Sequence, residues 1–286
     1  MNASIHPATK LGAVYLTVSD LERAIAFYQR GLGFQLHRRA DGTAHLGAGG
    51  PDLLVLAERP GAKPAPSHTG LYHFAVLVPS RLELAHALQR LADAQIRLQG
   101  AADHLVSEAV YLADPDGNGI EIYRDRPRSE WRYTGSTIQM DSLPLDFSGI
   151  LAERVTAAAT PLTLNPETII GHVHLQVADI AASEAFYQGV LGFDLMLRFG
   201  PSAGFVSAGG YHHHIGYNTW HSAGAVPPPA NAAGLRWFVI ELPDTEALTA
   251  VLARVRATGV LLEERSDGIL VRDPSGNGML LTTSAA

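Results

Sequence analysis

KLGAVYLTVSDLERAIAFYQRGLGFQL (10–36) and IIGHVHLQVADIAASEAFYQGVLGFDL (169–195) are two copies of one segment. They align without a gap, so that Gly12 falls on Gly171, Asp20 on Asp179, and Phe27-Tyr28 on Phe186-Tyr187. At one of the positions where they differ, the second copy has His172 where the first has Ala13. A duplicated segment that keeps its turns and its core but carries this histidine in only one copy has kept its shape and divided its chemistry.

Two further pairs of copies follow the first. YLADPDGNGIEIY (111–123) parallels LVRDPSGNGMLLT (270–282), and GLYHFAVLVP (70–79) parallels GLRWFVIELP (234–243). Internal repetition at this scale makes the repeat the folding unit. Each of the four modules opens on an apolar strand: AVYLTV, HFAVLV, HVHLQV or WFVIEL. An amphipathic helix follows, with Leu21, Ala24, Ile25 and Tyr28 recurring at i, i+3, i+4, i+7 in the first module. Leu82, Leu84, Ala85, Leu88, Leu91 and Ala92 do similar work in the second. Three more strands joined by Gly-rich turns close each module, with Pro and Gly setting turns such as DPDGNG. The expected organisation is α+β: four βαβββ modules in two tandem halves whose sheets curl into cups. Residues 1–126 hold modules at 11–57 and 71–126, and residues 169–286 hold modules at 171–220 and 235–283. Residues 127–168 connect the halves, with a short helix expected at 148–158.

Composition narrows the function. The 286 residues are 47% hydrophobic and 17% charged, which is globular rather than disordered. A formal net charge of −7 argues against nucleic acid as a partner. With no cysteine there is no disulfide, thiolate metal site or cysteine nucleophile. No apolar run approaches the ~18 residues that would span a membrane, and the N-terminus lacks an apolar leader, so a cytoplasmic protein is expected. Thirteen histidines are the compositional oddity. Histidine titrates near neutrality and is the commonest metal-binding side chain.

This module grammar, with V-x-D…F-Y…L-G-F and D-P-x-G-N, resembles the vicinal oxygen chelate superfamily of glyoxalase I, bleomycin-resistance proteins and extradiol dioxygenases. The likeness runs through GLYHFAVLVP, SEAVYLADPDGNGIEIYRDRPRSEW, IIGHVHLQVADI and VSAGGYHHHIGYNTW, and resembles most the ring-cleaving catechol 2,3-dioxygenase type. In that superfamily two modules form a cup, and metal ligands come from their opening and closing strands. At the family position on the four opening strands stand Ala13, His73, His172 and Trp237; on the closing strands of modules two and four stand Glu121 and Leu280. The resemblance thus implies a metal site of His73, Glu121 and His172. Two histidines and one carboxylate form the facial triad suited to non-haem Fe(II), and Mn(II) also fits. A buried carboxylate in GIEIY is costly unless paired or bound to metal.

Placing those three together requires modules two and three to share one cup and modules one and four to share a ligand-free one. A homo-oligomer with the site at the interface between copies is the alternative. The resemblance also implies an acid–base histidine in GGYHHHIGYN, and its register points to His213 rather than His212 or His214, with alternation along a strand setting His213 opposite the other two. Tyr111 stands where the family has a tyrosine that hydrogen-bonds a substrate oxygen, and His104 lies near a further site histidine. His174 shares a strand face with His172, where it either reaches the cup or packs. The implied reaction is extradiol cleavage of a catechol-like aromatic diol by O₂. The alternatives are a glyoxalase-like metal-dependent isomerase or lyase, which would want a fourth ligand such as a second Glu, and a protein that sequesters a small molecule.

Overall fold

The computed structural model describes residues 4–135, 137–156 and 159–284. Four βαβββ units follow one another. The first comprises β1 (Lys10–Val18), α1 (Leu21–Phe27), β2 (Gln35–Ala40), β3 (Thr43–Gly47) and β4 (Asp52–Glu58). The second comprises β5 (Gly70–Leu77), α2 (Arg81–Asp93), β6 (Gly100–Asp103), β7 (Ser107–Ala113) and β8 (Gly119–Asp125). The connection carries a two-residue hairpin, β9 (Tyr133–Thr134) and β10 (Thr137–Ile138), then α3 (Phe147–Ala152). The third unit is β11 (Ile169–Gln176), α4 (Ile180–Glu184), β12 (Asp194–Phe199), β13 (Ala203–Ser207) and β14 (Ile215–Asn218). The fourth is β15 (Gly234–Leu242), α5 (Thr245–Ala257), β16 (Glu263–Arg265), β17 (Gly268–Arg272) and β18 (Gly278–Thr283). The helix expected at 148–158 is α3 and a 3₁₀ turn over Glu153–Thr156; residues 157 and 158 lie outside the described residues.

The units pair across the halves. One eight-stranded sheet runs β16-β17-β18-β15-β1-β4-β3-β2, and the other runs β12-β13-β14-β11-β5-β8-β7-β6. Units one and four therefore share a sheet, joined antiparallel through β1 and β15, and units two and three share the other, joined through β5 and β11. Alternation sends one set of residues between the sheets and helices, where Val14, Leu16, Phe74, Val76, Val173, Leu175, Phe238 and Ile240 form the main core. The opposite set faces the two concave surfaces.

Local signals explain the repeated motifs. Asp20 and Asp179 cap α1 and α4, their carboxylates accepting from the N–H of Arg23 and Ala182. Both helices then widen into a π turn that carries Tyr28 and Tyr187 inward. There Tyr28 Oη donates to Asp114 Oδ2 and Tyr187 Oη to Asp273 Oδ2, each at 2.9 Å. Asp114 and Asp273 begin the two DPxGN turns, and each also accepts from the asparagine of its own turn. The FY pair and the DPxGN turn are thus two ends of one buried hydrogen bond that ties a helix of one unit to a turn of the next.

Candidate metal centre

The sheet of units two and three positions the site. At its centre β8, β5 and β11 run side by side, with Glu121 opposite Ala75 on one flank and His172 opposite Ala75 on the other. Ala75 is a fully buried methyl group, so the longer side chains on either side meet above it. His172 Nε2 lies 3.1 Å from Glu121 Oε2, and His73 Nε2 lies 3.0 Å from the same oxygen. Gly119, which opens β8, lets that strand press against β5: a Cβ there would sit 2.0 Å from the carbonyl oxygen of Tyr72, next to His73.

The structure thus brings His73, Glu121 and His172 together, all three buried, their ligand atoms within 4.8 Å of one another. Among the described residues no other group of histidines and carboxylates does so. The donors fit a metal ion. His73 Nε2 is buried beside the carboxylate yet makes no hydrogen bond, so three ligand atoms converge where protein donors leave one unsatisfied. Burial pushes the Glu121 carboxyl up, but His172 and His73 beside it outweigh burial and hold it well below the usual range. Burial lowers His172 to about 4, against the pull of Glu121. Ionised carboxylate and neutral imidazoles are the states in which these groups bind metal.

The companion sheet carries the same positions with different residues. Ala13, Trp237 and Leu280, at the places of His172, His73 and Glu121, form an apolar cluster with Val239, Leu270 and Tyr15. Trp237 stacks on Tyr15 at 4.8 Å, and Arg236 and Arg265 lie over the indole.

A cavity of about 400 Å³ opens over the three ligands and is lined by His104, Tyr111, His174 and His213 among others. His104 Nδ1–H donates to the carbonyl of Asp141 at 2.6 Å, which leaves its Nε2 to accept from Tyr111 Oη, also at 2.6 Å. Burial, then the Glu121 charge on the facing strand, raises the Tyr111 phenol well above its ordinary value. His174 reaches the cavity wall with its Nε2 held by the Asn218 side chain at 3.0 Å. His212, His213 and His214 are not on a strand, because β14 begins only at Ile215. The alternation expected there does not apply, and His212 and His213 meet through their Nδ1 atoms at 2.8 Å. His213 lines the cavity, its ring 4.1 Å from that of His172. His214 turns away, its Nδ1 accepting from Ser207 Oγ and the Ala208 N–H. Its pKa falls to about 3 because it is buried.

Sequence reading missed Asp125, whose Oδ1 accepts from His212 Nε2 at 2.9 Å. The signal was present, since Glu121, Tyr123 and Asp125 alternate onto one face of β8. It also missed Ala75, because nothing in a methyl group advertises the space it leaves.

The glyoxalase/bleomycin resistance protein/dioxygenase superfamily model matches residues 10–122 and 169–279. A protein of Bacillus subtilis (strain 168) named catechol-2,3-dioxygenase is 48% identical over 276 residues, covering 95% of this chain and 96% of the relative. Among solved structures, a putative dioxygenase from Bacillus subtilis superposes with a TM-score of 0.67 at 14% identity, over 99% of this chain and 87% of that one. Glyoxalase I from Zea mays superposes with a TM-score of 0.58 at 17% identity, over 96% and 92%. At those identities the two structures speak for the fold alone.

Proposed function

This chain belongs to the glyoxalase/bleomycin resistance protein/dioxygenase superfamily, and from that premise we propose that it is an extradiol dioxygenase that opens a catechol-like ring beside its diol with O₂. The observation that carries the reading is the set of His73, Glu121 and His172, three protein ligands on one face, with no fourth histidine or carboxylate among the described residues bringing a ligand atom within 4.8 Å of all three. Two histidines and a carboxylate leave coordination positions for a diol and O₂, where an isomerase of this superfamily would want a fourth protein ligand. His73, Glu121 and His172 would hold Fe(II), or Mn(II) in its place, and the ion would supply a template for the two diol oxygens and O₂.

The protein groups do the proton work. His213, at the cavity wall beside His172, takes a hydroxyl proton from the bound diol and returns it as the ring opens. Tyr111, backed by His104, hydrogen-bonds a substrate oxygen and fixes the ring's orientation. Both atoms of O₂ enter the product, a muconic semialdehyde.

Elemental analysis of anaerobically purified protein, wild type beside His172→Ala, tests this. Near-stoichiometric iron or manganese in the wild type, lost in the variant, with yellow ring-fission product from a catechol panel, is the expected result. Zinc or nickel with no ring cleavage would point to an isomerase or lyase. No metal in either protein would leave a binding protein as the better account.

A further inference from the structure

Asp125, His212 and His213 form a chain of hydrogen bonds that ends in the cavity. Asp125 Oδ1 and His212 Nε2 are 2.9 Å apart, and His212 Nδ1 and His213 Nδ1 are 2.8 Å apart. His212 is fully buried, with Tyr211, Trp131 and Tyr123 packed around its ring, so no water competes for either nitrogen. An ionised carboxylate only accepts, so His212 Nε2 must carry the hydrogen. A neutral His212 then has a bare Nδ1, and the nitrogen opposite it, His213 Nδ1, must be the donor. A neutral His213 with its hydrogen on Nδ1 has a bare Nε2. Among the described residues nothing hydrogen-bonds that Nε2, and its ring lines the cavity beside His172.

We propose that Asp125 and His212 are positioning residues that lock His213 in the Nδ1–H tautomer and so present Nε2 to the substrate as a proton acceptor. The inference rests on the reading of His213 as the acid–base group, and it assigns a task to two residues that do not line the cavity. It also explains why two adjacent histidines are needed where one would serve as a base. A lone imidazole in this pocket would divide between tautomers, and in one of them Nε2 would carry a hydrogen and could not receive another. A carboxylate that sets the tautomer of a catalytic histidine is a known device; here it acts through an intervening imidazole.

The test is nitrogen NMR on full-length, ¹⁵N-histidine-labelled protein kept diamagnetic, alongside steady-state kinetics of the iron-loaded enzyme. Wild type should show His213 with Nδ1 protonated and Nε2 bare. Asp125→Asn can donate as well as accept, so it should give a mixture of tautomers, and Asp125→Leu likewise. Both variants should lose at least about tenfold in kcat, the scale of partners that orient a site histidine, with KM for the diol little changed. Asp125→Glu, which restores an acceptor-only group, should recover part of the loss. A wild-type His213 protonated on Nε2, or Asp125 variants that leave both tautomer and kcat unchanged, would overturn the proposal. Loss of kcat with an unchanged tautomer would also overturn it. The tautomer is read without turnover, so the relay can fail while ring cleavage stands, and ring cleavage can fail while the relay stands.

Discussion

His172 Nε2 and Glu121 Oε2 lie 3.1 Å apart, one from each half of the chain, on strands separated by β5. Any ion held between them links the halves through bonds that the unfolded chain cannot form. Metal should therefore stabilise the whole protein as one unit, by about 2.7 kcal/mol when free metal exceeds its Kd a hundredfold. Chelation should lower the Tm by several degrees while keeping a single transition. In His172→Ala, chelation should leave the Tm unmoved. Calorimetry with and without chelator measures both, and two separated transitions in the wild type would mean that the site does not bridge the halves.

The fold was legible because the repeats carry it. Gly, Asp, Phe-Tyr and DPxGN recur in register, and each has a local task in capping, turning or core filling. The pairing of units two and three was legible only through chemistry: Ala13, Trp237 and Leu280 cannot bind metal, so the three residues that can must face one another. The relay was less visible. Asp125 lies 87 residues from His212 in the sequence, and their contact exists only after β8 and the turn before β14 come together. The run of three histidines read as strand because sequence alone does not show where β14 starts. Once it starts at Ile215, the three rings take three separate environments.

His214 gives the stability a pH dependence with a definite sign. Its Nδ1 accepts two hydrogen bonds that protonation would break, and burial holds its pKa near about 3, below the ordinary 6.5. A depressed folded value means that the unfolded chain binds the proton first. This contribution is therefore present above pH 6.5 and is lost as pH falls toward 3. Urea unfolding should show stability falling with acidification in that window. In His214→Gln the slope should be shallower by up to about 1.4 kcal/mol per pH unit, one proton's worth. An unchanged slope would mean that His214 does not titrate on unfolding.

The cavity wall predicts which diols enter. Tyr72, Met140, Leu197, Phe199, Phe205 and Trp220 line it, and among the described residues no lysine or arginine does. Its volume of about 400 Å³ leaves room beyond a single ring. A carboxylate on the ring would be moved from water to a wall whose carboxyl-bearing side chains, Glu121 and Asp141, offer it no countercharge. Catechols with alkyl or aryl substituents should therefore exceed carboxylated catechols in kcat/KM by at least about tenfold, a difference of only 1.4 kcal/mol. Equal rates would show that the charged group stays outside the cavity.

Ala75 offers a sharper test of the geometry than any ligand, because it binds nothing. Glu121 and His172 reach each other across it, and its methyl group lies fully buried on the same concave surface as Tyr111, Tyr123 and Ala109. Ala75→Leu would set three more carbons between the carboxylate and the imidazole. The companion sheet has Val239 beside Leu280, so a larger apolar residue suits the backbone there. Overpacking of this kind costs roughly 1–3 kcal/mol, which a domain of this size can absorb while remaining folded. The expected variant is a folded protein, unchanged in far-ultraviolet circular dichroism, with all three ligands present and little metal or ring cleavage. Ala75→Gly, which keeps the space open, should bind metal like the wild type at a small cost in stability. If Ala75→Leu retains full metal, the ligands do not converge above this residue, and the centre must be assembled some other way.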